Sequence, residues 1–222
     1  EYLTRLVNMK ILKLEPAKKH QTILIFDWDD TLLCTSFVKE NEGFVTYESM
    51  LDVLEALDLA SSELISRAVE YGEVFIITNA DEGWVEESAG AFLPRVLQVL
   101  KEKKVKIISA RKGYESRFPE DISRWKMEAF LSIKRHFDSQ VITNIICIGD
   151  QITEIQAAYL LAQQFNRSII KTIKLKERPQ PDELVKEIKL VLSKLEGIYV
   201  ALNHLKIRME KKSLNRNEKR TV

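Results

Sequence analysis

Five short apolar runs, separated by longer segments of helical periodicity, constrain the fold of this chain more than any other feature. They are rich in β-branched residues, and they cover positions 22–26, 74–77, 105–108, 145–148 and 169–173. Each run is of strand length and lacks the alternation of a half-exposed strand. Such strands are typical of a parallel sheet that is covered by helices on both faces.

The segments between the runs carry apolar residues at helical spacing. They predict helices over positions 47–71, 87–103, 122–137 and 154–165. Strict alternation of strands and helices predicts an α/β fold with a doubly wound, five-stranded, Rossmann-like parallel sheet and right-handed crossovers. In such sheets, ligands bind at the carboxyl ends of the strands.

A second pattern begins after the prolines of ERPQPDE. Eight apolar residues recur there at spacings of four and three, which is a heptad repeat: Leu184, Ile188, Val191, Leu195, Ile198, Leu202, Leu205 and Met209. This repeat predicts one long C-terminal helix over 182–212. The helix either packs on the sheet or docks to a partner helix, and the repeat fits both alternatives.

The predicted elements divide the chain into four parts. They are an N-terminal extension over 1–20, the α/β domain over 21–178, the C-terminal helix over 182–212 and a polar tail over 213–222. The first residue is Glu1 rather than methionine, so we expect a piece of a longer or trimmed chain.

Composition excludes several classes of partner. Lysine and arginine number 34 against 33 aspartates and glutamates, a net charge of +1, so nucleic acid is not an expected partner. No apolar run reaches the roughly 18 residues of a membrane-spanning helix, so no membrane association is expected. Two cysteines far apart in sequence favour a reducing compartment, and the cytoplasm is the default expectation.

Carboxylates follow two of the predicted strands. Asp27, Asp29 and Asp30 come directly after the first strand in DWDDT, and Asp150 ends the fourth strand in IICIGD, four residues before Glu154. Carboxylates packed this closely repel one another, so their presence implies a cation. If the two strands are neighbours, their acidic ends converge and offer the hard oxygen ligands that Mg²⁺ prefers.

Simpler interpretations exist for each of these residues alone. DWDDT also fits an exposed acidic turn that caps a helix, and Asp150 fits a helix N-cap. Glu154 by itself fits a surface position. The interpretation as a metal site therefore depends on the two strand ends lying side by side.

Four motifs, taken in order, resemble those of the haloacid dehalogenase-like superfamily. DWDDT resembles the first motif, DxDx[TV], and Thr78 at the end of VFIIT resembles the hydroxyl residue of the second. Lys126 in RWKMEAF is similar to the third-motif lysine, and GDQITE resembles the fourth motif, GDxxx[DE]. The resemblance extends over about residues 22–175, and the stretch TNADEGWVEESAGAFLPRV looks like uncharacterised members from protists and algae.

The resemblance implies a Mg²⁺-dependent phosphohydrolase. In that chemistry Asp27 is the nucleophile, which forms an aspartyl-phosphate, and Asp29 is the general acid and base. Asp27, the backbone carbonyl of Asp29 and Asp150 bind the Mg²⁺, while Glu154 acts through water or orients Asp150.

The same resemblance assigns the phosphate-binding groups. Thr78 and the adjacent Asn79 donate hydrogen bonds to the phosphoryl oxygens, and Lys126 neutralises charge on the phosphate and on the nucleophile. Arg111 and Lys112, which follow the third predicted strand, are competing candidates for this cation.

The spacing between the motifs also bears on the substrate. Residues 32–72 and 79–125 leave no room for a large cap domain, so the site is expected to be open. An accessible phosphate ester, for which a phosphoprotein is one candidate, fits such a site. The alternative function is a catalytically silent scaffold or assembly subunit that docks through Leu184–Met209.

Overall fold

A computed structural model describes residues 19–44, 46–138 and 143–209 of the chain. Its centre is a six-stranded sheet, parallel throughout, with the strand order β3-β2-β1-β4-β5-β6. The strands are β1 (Thr22–Phe26), β2 (Glu73–Thr78), β3 (Lys106–Ser109), β4 (Thr143–Gly149), β5 (Ser168–Lys174) and β6 (Leu205–Arg208). The predicted α/β fold is therefore confirmed, with one strand more than expected.

Helices cover both faces of the sheet. They are α1 (Thr35–Asn41), α2 (Tyr47–Tyr71), α3 (Trp84–Phe92), α4 (Pro94–Glu102), α5 (Ala110–Tyr114), α6 (Ile122–Ile133), α7 (Ile152–Ala162) and α8 (Pro181–Val200), with short 3-10 turns at Lys19–Gln21 and Lys134–His136. The helices α2, α3, α4 and α8 pack on one face, and α5, α6 and α7 pack on the other.

The core consists of two apolar layers, one on each face of the sheet. In β1, Leu24 and Phe26 belong to the first layer, and Ile23 and Ile25 belong to the second. Successive side chains of a strand point to opposite faces, so a strand at the centre of the sheet must be apolar at every position. This explains the unbroken apolar run TILIF.

The segment predicted as a single helix over 87–103 forms two helices. The break lies between Leu93, which has the non-helical φ of −134°, and Pro94, the first residue of α4. Proline has no N–H to donate to the preceding turn, and it disfavours helical backbone at the residue before it. One helix must therefore end there, and another begins.

The predicted C-terminal helix over 182–212 ends at Val200, so the prediction is wrong for positions 201–209, and positions 210–212 lie outside the described residues. Residues Leu205–Arg208 instead form β6, which pairs with β5 at the edge of the sheet. Leu205 and Met209 are four residues apart, a spacing that fits one face of a helix and also one face of a strand. The half-buried Ile207 between them follows the strand period of two.

The apolar stripe of α8 is covered by the chain itself. The helix α8 packs against α2. Five residues of the stripe on α8 are buried: Leu184, Ile188, Val191, Leu195 and Ile198. Of the two alternatives, packing of the helix on its own domain therefore holds for these five residues. They are covered within the domain, and docking to a partner through Leu184–Met209 stays a prediction.

The remaining expectations concern the ends of the chain and its connections. The connections from β1 to β2 and from β2 to β3 contain helices α1 to α4, with no inserted cap domain in the residues that the structure describes. No helix among those residues is long and apolar enough to cross a bilayer. The N-terminal extension, apart from residues 19 and 20, and the polar tail lie outside the described residues.

Candidate metal and phosphate site

The sheet brings the two acidic strand ends together. Strands β1 and β4 are neighbours, with Phe26 opposite Ile148, and the backbone N–H of Asp27 donates to the carbonyl of Ile148 at 3.0 Å. The strand order reverses between these two strands, and this is the position where open α/β sheets bind their ligands. Asp150 follows β4 directly, so both carboxylates lie at this position.

A tight turn after β1 sets the directions of the acidic side chains. The carbonyl of Trp28 accepts hydrogen bonds from the N–H groups of Leu32 and Leu33, and Asp30 adopts a left-handed backbone with φ of 55°. The Trp28 ring is buried, and its Nε1 donates to Ser88 Oγ at 3.0 Å. Trp28 therefore points into the helices on the first face of the sheet.

Lys126 bridges two of the buried carboxylates. Its Nζ lies 2.6 Å from Asp27 Oδ1 and 2.7 Å from Glu154 Oε1. The side chains of Lys126, Asp27 and Glu154 are exposed by only 3 %, 5 % and 2 %. The lysine enters from α6, which packs on the second face of the sheet.

Asp27, Asp150 and Glu154 form a cluster with the dimensions of a metal site. One carboxylate oxygen from each lies within 4.8 Å of the others, and all three residues are buried. The Oδ1 atom of Asp150 is buried and accepts no hydrogen bond from any residue that the structure describes. An unpartnered buried carboxylate oxygen is costly, and a bound cation would satisfy it.

Local backbone geometry places Glu154 in this cluster. Its Oε2 accepts the N–H of Gln151 at 2.9 Å, which forms part of a capping box at the start of α7. A Cβ atom on Gly149 would lie 2.9 Å from Cγ and 3.2 Å from Oε2 of Glu154. Glycine is therefore required at the end of β4 for Glu154 to approach Lys126.

The electrostatics of the cluster favour an additional positive charge. Burial raises the pKa of Asp27 to about 7 although Lys126 opposes the rise, and burial together with the charges of Asp27 and Glu154 raises the pKa of Asp150 to about 8. Burial alone would lower the pKa of Lys126, but its two carboxylate partners raise it above the usual range. One ammonium group thus faces three carboxylates, and a divalent cation would balance the excess.

Asp29 lies beside this cluster and is held by three hydrogen-bond donors. Its Oδ1 accepts from Thr35 Oγ1 at 2.8 Å and from Trp84 Nε1 at 3.0 Å. Its Oδ2 accepts from Thr78 Oγ1 at 3.0 Å. The negative charge of Asp29 also contributes to the raised pKa of Asp27, so Asp29 lies close enough to interact electrostatically with Asp27.

A cavity of about 490 Å³ opens beside Asp29. It is lined by Asp29, Lys39, Asn79, Ala80, Asp81, Glu82, Trp84, Glu87 and Arg111. The Oδ1 atom of Asn79 is buried and has no hydrogen-bond partner within the described part of the chain. Asn79, which the resemblance assigns to phosphate binding, therefore lies at the cavity beside Asp29.

The two competing cations pair with carboxylates outside the acidic cluster. Arg111 pairs with Asp81, with Nη1 3.2 Å from Oδ2, and Lys112 pairs with Glu82, with Nζ 3.4 Å from Oε2. Arg111 is half-buried and lines the cavity beside Asp29, Lys112 is exposed, and Lys126 is buried. Of the three candidates, Lys126 is the one in contact with the acidic cluster.

The structure also reveals site residues that the sequence did not identify. Thr35 and Trp84 bond Asp29 from α1 and α3, and neither belongs to the four motifs. No local pattern marks them, because their contacts with Asp29 depend on the packing of two helices around the turn after β1.

Neither a protein-family model, nor a curated protein, nor a solved structure matches this chain. The interpretation of the site therefore rests on its residues and their geometry.

Proposed function

We propose that this protein is a Mg²⁺-dependent phosphohydrolase that uses Asp27 as its nucleophile. The observation that carries the proposal is the buried cluster of Asp27, Asp150 and Glu154, with Lys126 on Asp27 and an Oδ1 on Asp150 that has no hydrogen-bond partner among the described residues. A cluster that served only folding would gain nothing from three buried carboxylates around one ammonium group.

The donor set suits Mg²⁺. The carboxylates of Asp27 and Asp150 are hard oxygen ligands, and we assign the backbone carbonyl of Asp29 to the same ion. When bound, Mg²⁺ neutralises negative charge at the nucleophile and the phosphate, so that the two anions can approach each other. Glu154 orients the cluster through Lys126 and the N–H of Gln151.

The proposed reaction has two steps. In the first, a carboxylate oxygen of Asp27 bonds to phosphorus while the bond from phosphorus to the ester oxygen breaks, and Asp29 gives the departing oxygen a proton. In the second, a water oxygen bonds to phosphorus while the bond from phosphorus to the Asp27 oxygen breaks, Asp29 takes a proton from that water, and phosphate leaves with the Asp27 carboxylate restored. The first step leaves Asp29 as the base that the second step needs.

The proposed roles of the surrounding groups follow from their positions. Lys126 offsets charge on Asp27 and on the transferred phosphoryl group, and Asn79 reaches the phosphate from the cavity rim. The cavity beside Asp29 is open to solvent and carries no cap among the described residues. An accessible phosphate ester, such as one on a phosphoprotein, is therefore the substrate class that we propose.

Hydrolysis of an aryl phosphate tests the proposal. The wild-type protein should hydrolyse 4-nitrophenyl phosphate in Mg²⁺ and lose this activity in EDTA. Asp27→Asn should lower kcat by roughly 1000-fold or more, because an amide is a poor nucleophile. Asp52→Asn, an exposed change on α2, is the control and should keep wild-type activity.

Two results would contradict this function. One is equal activity of the wild type and Asp27→Asn, and the other is full activity in EDTA. A panel of phosphopeptides extends the test to larger substrates, and absence of hydrolysis across that panel and the aryl phosphate would also overturn the proposal.

A further inference from the structure

We propose that Trp84 is a positioning residue that reserves one oxygen of Asp29 for proton transfer. This inference rests on the proposed function, in which Asp29 is the acid and base. Together with Thr35, Trp84 occupies Oδ1 of Asp29, and Oδ2 remains the oxygen that exchanges a proton with the substrate and with water.

The two oxygens of Asp29 differ in how many hydrogen bonds they already accept. Each ionised carboxylate oxygen offers about two lone-pair positions for hydrogen bonds. Oδ1 of Asp29 accepts from Thr35 Oγ1 at 2.8 Å and from Trp84 Nε1 at 3.0 Å, so both of its positions are filled. Oδ2 accepts only from Thr78 Oγ1 among the described residues, which leaves one position open.

The Thr78 hydroxyl is committed to this arrangement. Its oxygen accepts the backbone N–H of Ala80 at 3.0 Å, and its single proton points to Asp29 Oδ2 at 3.0 Å. A hydroxyl group has one proton to donate, so Thr78 serves Asp29 as long as this bond persists. The predicted donation from Thr78 to a phosphoryl oxygen would first have to break that bond.

Trp84 is fixed at the edge of the cavity from two sides. It is the first residue of α3 and follows Gly83, whose φ of 90° is a left-handed conformation that favours glycine. The Nζ atom of Lys39 lies 5.7 Å from the centre of the Trp84 ring, a favourable contact between a cation and an aromatic face. The indole N–H is thereby aimed at Asp29 before any substrate binds.

This arrangement explains why an exposed rim should contain a tryptophan. An indole donates one hydrogen bond and accepts none, so it can fill a lone pair of Asp29 without ever competing for the proton. Trp84 thus holds the carboxylate in one orientation and directs proton transfer to Oδ2.

The hydrogen bond itself can be tested without turnover, by NMR of the indole N–H groups. The indole N–H groups of the other two tryptophans donate elsewhere, Trp28 to Ser88 Oγ and Trp125 to the carbonyl of Phe118. Trp84→Phe identifies the Trp84 resonance by its loss. Asp29→Ala and the shape-conserving Asp29→Asn should both shift that resonance and leave those of Trp28 and Trp125 in place. A Trp84 resonance that neither variant moves would overturn the proposal.

Kinetics test the consequence for catalysis. Trp84→Phe keeps the ring and removes one donor to a charged group, so kcat should fall by about 10- to 100-fold while KM changes less than about twofold. Thr78→Val should behave in the same way if Thr78 serves Asp29, rather than mainly raising KM.

Tyr47→Phe is the matched control. The Tyr47 hydroxyl donates to the carbonyl of Ala91 and so anchors the same helix, α3, without touching Asp29. Its activity should equal that of the wild type. Equal kcat and KM for Trp84→Phe and Tyr47→Phe would overturn the positioning role. A wild type without any turnover would instead refute the phosphohydrolase, and the NMR shift would still decide whether Trp84 holds Asp29.

Discussion

Removal of divalent metal should make the stability of this protein fall as the pH rises. Burial raises the pKa of Asp27 from its ordinary 3.8 to about 7. Between these pH values the folded protein therefore binds more protons than the unfolded chain, so the free energy of unfolding decreases with rising pH. At about 1.4 kcal/mol for each pKa unit, Asp27 alone accounts for about 4 kcal/mol. This is a large part of the roughly 5–15 kcal/mol that stabilises a typical domain.

Urea denaturation in EDTA at a series of pH values between 4 and 8 measures this effect. Mg²⁺ should restore much of the lost stability at pH 8, by about 2.7 kcal/mol at a concentration 100 times its dissociation constant. Asp150→Asn should weaken both the pH dependence and the effect of Mg²⁺, whereas the exposed Asp52→Asn should change neither. A free energy of unfolding in EDTA that stays level or rises from pH 4 to pH 7 would contradict the raised pKa of Asp27.

Three further variants test separate parts of the structure. In EDTA, Lys126→Met should lower the free energy of unfolding by about 3–5 kcal/mol, because it leaves Asp27 and Glu154 buried without their cation; an unchanged urea midpoint would contradict this. Gly149→Ala should weaken Mg²⁺ binding by about tenfold or more in calorimetry, since the new Cβ would lie 2.9 Å from Cγ of Glu154, and wild-type affinity would argue against the packing described. Burial lowers the pKa of Lys171 from 10.5 to about 8, so the folded state loses this proton first and stability should rise between these pH values. Lys171→Met should abolish that rise in thermal melts, and a rise that persists in the variant would assign it to another group.

The central part of the fold could be predicted from the sequence because its signals are local and strong. The run TILIF coincides with β1, and the periodic segment 47–71 coincides with α2. Both elements are buried by tertiary packing in the way that their apolar patterns require. The convergence of Asp27 and Asp150 followed from the alternation of elements, once β1 and β4 proved to be neighbours.

The end of the chain could not be predicted in the same way. A spacing of four residues, as between Leu205 and Met209, satisfies a helix and a strand alike. The open edge of β5 decides between them, since β6 pairs its backbone there. That edge exists only after the rest of the sheet has formed, so no local pattern reports it.

The donors to Asp29 show the same limit within the site. The motif residues Asp27, Asp29 and Lys126 are identified by type and order along the chain. Thr35 and Trp84 act through the orientation of α1 and α3 against the turn after β1, and this orientation is a property of the packed structure.

Calorimetric titration of Mg²⁺ into the metal-free protein tests whether the cluster of Asp27, Asp150 and Glu154 binds a divalent ion. We expect saturable binding of one ion per chain in the wild type. Asp150→Asn should lose that binding, because it replaces the carboxylate whose Oδ1 has no hydrogen-bond partner among the described residues. Absence of saturable binding in the wild type, or equal binding by the two proteins, would contradict this expectation.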